Sequence, residues 1–261
     1  MKPISIFGKE GSALLVALFA LSCSAFAQTE VPAGTSVPVR LDSSISSNSK
    51  PGAKITARVM QNVPLANHER IPSGARLVGH VIAVNSPHPN GGARVTFQFD
   101  QLISGHRTIP LTAALSALAS FFEVDQAQIP DTGPDRGTPQ SAWTTTQIGG
   151  DSVYHGGGPV TEGSNVVGRP TPHGVLVNAG YPAGLSCDRV NTSAPRAVWL
   201  FSADACGTYG FTGLSIARSG GSDPAGQIVL ISTRHKISIP AGSAMLLTTV
   251  RKGTPDASNH S

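Results

Sequence analysis

The chain is short of cysteine, aromatic residues and charge. Its 261 residues include three cysteines, 5% Phe, Trp and Tyr together, and 13% Asp, Glu, Lys and Arg. Charge near half the globular norm of ~25%, with a mean hydropathy of +0.02, excludes a chain held open by charge repulsion. No apolar run reaches the ~20 residues that a membrane-spanning helix needs. With 29 Gly and 20 Pro, both helix breakers, a helix bundle or coiled coil is excluded as well.

Catalytic signatures are also missing. The sequence contains no Gly-x-Ser-x-Gly, no His-Glu-x-x-His and no phosphate loop. Its histidines are His68, His80, His88, His106, His155, His173, His235 and His260. No two stand at i, i+2 or i, i+4, so no metal site is written locally. His80 lies among apolar strand residues and reads as a hydrogen-bonded structural histidine. Asp188 and Asp204 flank the last two cysteines, but nothing else supports a paired-acid hydrolase. No cofactor or metal is implied, and the chain reads as non-enzymatic. The net charge of +4 is spread over single residues. No stretch has the Lys/Arg density of a surface that follows phosphates, so no nucleic-acid partner is expected.

What is present begins with an address. Lys2 and Lys9 precede the nine-residue apolar run Ala13 to Leu21, and Ala25-Phe26-Ala27 supplies small residues at the two positions read by a signal peptidase. This order predicts a cleavable signal over 1–27, cut between Ala27 and Gln28. Acylation of Cys23 is the competing reading, with a poor match in Ala20-Leu21-Ser22. Export implies an oxidising compartment. There the remaining cysteines, Cys187 and Cys206, are expected to pair. Closing their 18-residue loop contributes about 3 kcal/mol in the chain-entropy account. Two separate buried thiols are the alternative.

Alternation of period two marks strands. Val37, Val39 and Leu41 oppose Ser36, Pro38 and Arg40. Ile55, Ala57 and Val59 oppose Lys54, Thr56, Arg58 and Met60. Val95, Phe97 and Phe99 oppose Arg94, Thr96, Gln98 and Asp100. Leu77 to Val84 is apolar on both faces and predicts a central strand. Ser104-Gly105-His106 predicts a turn, and Pro110 predicts a strand end or an edge. A short motif recurs before strands, with Pro32 and Gly34, Pro72 and Gly74, and Pro240 and Gly242 at matching places. It reads as a strand-initiating type II turn.

Leu115, Leu118 and Phe122 stand at helical spacing, which predicts one short helix within 112–125. Residues 126–172 are rich in Gly, Pro, Ser and Thr and read as a long loop, with Trp143 and Tyr154 as candidate contact residues. Ala197 to Phe201, Thr212 to Ala217 and Gln227 to Ser232 read as strands, and Lys236 to Ile239 as an extension of the last hairpin. The fold class is therefore all-β, an antiparallel barrel or sandwich with a long loop-rich insertion and at most one short helix. The expected organisation is a signal over 1–27, the first part of a barrel over 28–125, and an insertion with a disulfide-bonded β subregion over 126–225. A closing hairpin over 226–250 and a disordered tail over 251–261 follow.

The run Val31-Pro32-Ala33-Gly34-Thr35, Val37 to Leu41, Pro51-Gly52, Ala57 to Val63, Ile71-Pro72-Ser73-Gly74-Ala75-Arg76-Leu77-Val78-Gly79 and Ala93 to Leu102 resembles the TrbI-type conjugation proteins. The resemblance covers 31–111, and Pro240 to Val250 could close the same barrel. It departs from the family in having a cleavable signal where an inner-membrane helix and proline-rich stalk are usual, and in residues 116–225. It implies a β-barrel and an envelope setting, in a family that helps to build the outer-membrane core of type IV secretion systems. The expected role is a structural or assembly component in the periplasm, at the outer membrane or outside the cell. Expected partners are envelope proteins or further copies of itself, with peripheral outer-membrane association. The alternative is a binding module for glycan or another envelope ligand, with 126–218 as its recognition surface.

Overall fold

The structure is a computed structural model that describes residues 30–65, 69–85, 92–128, 205–217, 225–233 and 236–251. It also describes the shorter pieces 144–146, 148–149, 152–154, 160–162, 165–171, 174–176 and 197–202. The signal region, the cleavage pair Ala27 and Gln28, Cys187, Trp143 and all but the first residue of the tail lie outside them.

The chain runs through β1 (Ser36–Leu41), β2 (Ile45–Ser46), β3 (Lys54–Val59), β4 (Val63–Pro64) and β5 (Arg70–Ile71). It continues through β6 (Arg76–Asn85), β7 (Ala93–Ser104), β8 (Arg107–Pro110) and β9 (Ala113–Ala119) into helix α1 (Phe121–Gln126). The middle of the chain contributes β10 (Thr144–Thr146), β11 (Ser152–Tyr154), β12 (Val160–Glu162), β13 (Asn165–Thr171), β14 (Gly174–Leu176), β15 (Ala197–Trp199) and β16 (Phe201–Ser202). The return consists of β17 (Gly207–Tyr209), β18 (Leu214–Ala217), β19 (Ile228–Ser232), β20 (Ser238–Ile239) and β21 (Ala244–Thr249).

Strands β17-β9-β21-β1-β3-β6-β7-β19-β18 are hydrogen-bonded in that order, and β8 adds to β7. The two ends of the series, β17 and β18, meet where the Thr208 hydroxyl donates to the Leu214 carbonyl at 2.8 Å. The result is a nearly closed barrel. Every pairing in it is antiparallel except β17 with β9. Alternation fills the interior as the sequence predicts. Val37, Val39, Ile55, Ala57, Leu77, Val81, Val95, Phe97 and Phe99 are buried in one apolar cluster, and the Phe97 and Phe99 rings meet edge to face. Polar partners such as Lys54, Arg58 and Arg94 face outward. β6 is central in the order, as expected, but its outward face is only half covered.

The recurring turn starts β1, β6 and β21. The Thr35, Ala75 and Ser243 N–H groups donate to the carbonyls of Pro32, Pro72 and Pro240 at 3.2–3.3 Å. Gly34, Gly74 and Gly242 take φ of +87°, +87° and +88°, as the third residue of a type II turn requires. Proline is therefore the first residue of the turn and supplies the carbonyl. It does not sit at the second position that its fixed φ would favour. Each glycine N–H then donates at 2.8 Å to a neighbouring strand, Gly34 to Thr249, Gly74 to Val59 and Gly242 to Leu41. Lys50-Pro51-Gly52-Ala53 does the same with Pro at the second position, and Gly52 N–H donates to Val81. One turn thus both starts a strand and pins it to the next. No atom lies within 4 Å of a Cβ built on Gly74, so Gly74→Ala isolates the cost of a left-handed backbone. We expect a loss of about 1–2 kcal/mol in urea denaturation.

The expected helix is mostly strand. Residues 113–119 form β9, paired with β21, and only Phe121–Gln126 is helical. Alanine and leucine favour a helix intrinsically, but pairing with both β21 and β17 overrides that weak preference. A bulge at Ser116 shifts the phase, so that Leu115 and Leu118 point inward while Ala117 and Ala119 point outward. The Ser120 hydroxyl then accepts the Glu123 N–H and caps the helix.

Other expectations are revised by the pairings. Residues 126–172 contain strands, and β12-β13-β14-β15-β16 make a second antiparallel sheet. Ala197 to Phe201 is a tight hairpin, with Val198 opposite Phe201, where a single strand was predicted. β17 and β18 belong to the barrel and not to the insertion. Residues 226–250 do not form one hairpin, because β19 pairs with β7 and β18 while β21 pairs with β1 and β9. β20 pairs with β2 and does not extend that segment.

Candidate interaction surface

An interior filled with apolar side chains leaves contacts to the outer wall and the loops. The polar groups on this wall are the opposite of the apolar outer band of a membrane-spanning barrel. Among the described residues no helix is long and apolar enough to cross a membrane.

One part of the wall is already covered. Ala117, Ala119, Ala244 and Leu246 face outward from β9 and β21. They form a second apolar cluster with Val124 of α1, Ile148 and the hairpin residues Trp199, Leu200 and Phe201. Alanine at three of these wall positions lets bulky side chains come close. This cover, with β15 beside β1, accounts for the burial of Ser36 and Pro38, which alternation placed on a wet face. Trp199 is the pivot. It is 1% exposed and has φ of +55°, uncommon for a bulky residue. Its N–H donates to the buried Gln61 Oε1 at 2.7 Å, and Leu200 accepts the Ile148 N–H at 2.8 Å.

The wall over β3, β6 and β7 is open and polar. Lys54 stands opposite His80, and His80 opposite Gln98. A bulge between Val78 and Gly79 leaves Asp100 as the extra residue of β7. Its carboxylate accepts His80 Nδ1–H at 2.7 Å and Gln98 Nε2–H at 2.6 Å. The predicted structural histidine therefore has its partner, in a half-exposed pair of the kind that contributes at most ~1 kcal/mol. Among the described residues no group of three His, Cys, Asp or Glu side chains stands so as to hold a metal ion.

Two features escaped the sequence. Phe121 and Phe122 are 40% and 76% exposed, with their rings edge to face at 5.9 Å. Phe122 was expected to pack with Leu115 and Leu118, but those two point into the barrel. Arg58 and Arg76 face one another across β3 and β6, a pairing visible only once the register is known.

The remaining sequence-predicted positions are placed as follows. Pro32, Gly34, Pro72, Gly74, Pro240 and Gly242 all lie in strand-initiating turns and hold main chain. Cys206 precedes β17, where its N–H donates to Tyr209 Oη and its carbonyl accepts the Tyr209 hydroxyl, both at 3.1 Å. Tyr154 lies in β11. His106 lies in the β7–β8 turn, and its partner there, Gly105, has φ of +57°. The other six histidines, Asp188 and Asp204 lie outside the described residues.

No protein-family model and no curated protein matches the chain. Among solved structures it is similar to ComB10 of the Com type IV secretion system of Helicobacter pylori, with 24% identity and a TM-score of 0.25. The match covers 31% of this chain and 42% of the ComB10 chain, so the chain spans about two-fifths of that structure's length.

Proposed function

We propose that this protein is an exported, non-enzymatic component of the cell envelope, built on a TrbI-type barrel and acting by assembly with envelope proteins or with further copies of itself. One observation carries the reading: the residues of the TrbI-like run act on the main chain. Gly34, Gly52 and Gly74 pin strand starts to their neighbours, and Gly79 permits a close strand approach. The run maps onto β1, β3, β6 and β7, which are consecutive in the barrel. A chain whose recognisable motif is all scaffold, with a filled interior, meets partners through its wall and insertion.

Export is tested by fractionating expressing cells and measuring the intact mass of the mature chain. The expected product begins at Gln28, is recovered from the envelope, and is lighter than its reduced form by two hydrogen atoms, for a Cys187–Cys206 disulfide. An uncleaved chain in the cytosol contradicts the reading.

A further inference from the structure

We propose that the Arg58–Arg76 cleft binds an oxyanion, a carboxylate or phosphate group carried by a small ligand. The cleft is a shallow depression open to solvent, with about 480 Å³ of space at one end of β3, β6 and β7, and its lining includes Arg58, Ser73, Gly74, Arg76, Ser104 and Gly105. That volume lies within the ~300–1,000 Å³ of small-molecule sites.

The placement of charge points to the ligand. Arg58 and Arg76 are direct partners in the antiparallel register, so their Cβ atoms stand ~5 Å apart on the same outward face. Like charges set opposite one another weaken a sheet. The protein relieves half of this: Asp42 Oδ2 lies 3.6 Å from Arg58 Nη2. Among the described residues no carboxylate pairs with Arg76. The cleft thus holds one guanidinium in excess, beside two serines and two glycine turns that leave room for a ligand. A guanidinium fork matches carboxylate and phosphate geometry. Among the described residues the lining has no aromatic ring on which a neutral sugar would stack. Acidic sugars and phosphorylated molecules share this chemistry, and the test separates them.

The full mature chain, labelled with ¹⁵N, is titrated at low salt with inorganic phosphate, with D-glucuronate and with D-glucose. At least one anion is expected to give saturable shifts of the Ser73, Gly74, Ser104 and Gly105 amides, and D-glucose none. A response to phosphate alone assigns a phosphorylated ligand; a response to glucuronate alone assigns a carboxylate; a response to both assigns the oxyanion in general. Arg76→Gln is expected to weaken binding about tenfold or more, while Arg94→Gln, at the far end of β7, leaves it unchanged. Arg76→Gln should also raise Tm by ~1–3 °C as the repulsion is removed, which separates lost binding from lost folding. The proposal is overturned by no saturable shift with either anion, by an equal response to D-glucose, or by wild-type affinity in a folded Arg76→Gln variant.

Discussion

Gly79→Ala is expected to destabilise the barrel by ~3 kcal/mol or more, although it adds a single methyl group. A Cβ at this position would overlap the Gln98 carbonyl oxygen and stand 2.8 Å from Phe99 Cα and 2.9 Å from the Gln98 carbonyl carbon. All three are main-chain atoms of β7, so no rotamer change makes room. The β6–β7 pair must separate, at the bulge where Asp100 is turned out toward His80. Urea denaturation measures the loss, and Gly74→Ala is the control. Both variants replace glycine by alanine, but only Gly79 meets a wall. Equal losses for the two would refute the close approach as the reason for glycine at 79.

Trp199→Ala is expected to cost ~3–5 kcal/mol, the range for removing a buried tryptophan, and to loosen the insertion from the wall of β9 and β21. Trp199→Gly should be the milder variant by ~1 kcal/mol. Elsewhere glycine is the more disruptive of the two, but here the backbone has φ of +55°, which glycine adopts at little cost and alanine does not. Both variants remove the ring that meets Phe201 at 6.5 Å. Amide hydrogen exchange should report the effect as faster exchange in Ala117, Ala119 and Leu246, with a smaller increase at Val95 and Phe97 in the barrel interior. If the alanine variant proves the more stable, the left-handed backbone at Trp199 is not what sets the order.

The parts of this fold legible in the sequence are those set by local rules. Alternation located β3 and the first half of β7 because each has one face on a single apolar core. Gly34, Gly74 and Gly242 marked turns because only glycine takes their φ at little cost. The rule failed where a second layer covered the first. Ser36 and Pro38 looked solvent-facing because the hairpin of the insertion that buries that side of β1, around Trp199, comes more than 150 residues later. Residues 113–119 looked helical because Leu115, Leu118 and Phe122 stand at helical spacing; the small size of Ala117 and Ala119 in fact serves the contact with Trp199 and Phe201. A bulge such as that at Ser116 changes phase without any signal of its own. The role of Gly79 and the Arg58–Arg76 pair both depend on register, which no spacing within one strand reveals. His80 was legible as structural, but its partner Asp100 faces it only because β7 is bulged.

The central claim is that this barrel works by assembly. The most direct test is the native mass of the mature protein extracted from the envelope in mild detergent. The account predicts a discrete complex several times the mass of the single chain, held by the wall and insertion surfaces described above. A monodisperse species at the mass of one chain would contradict it.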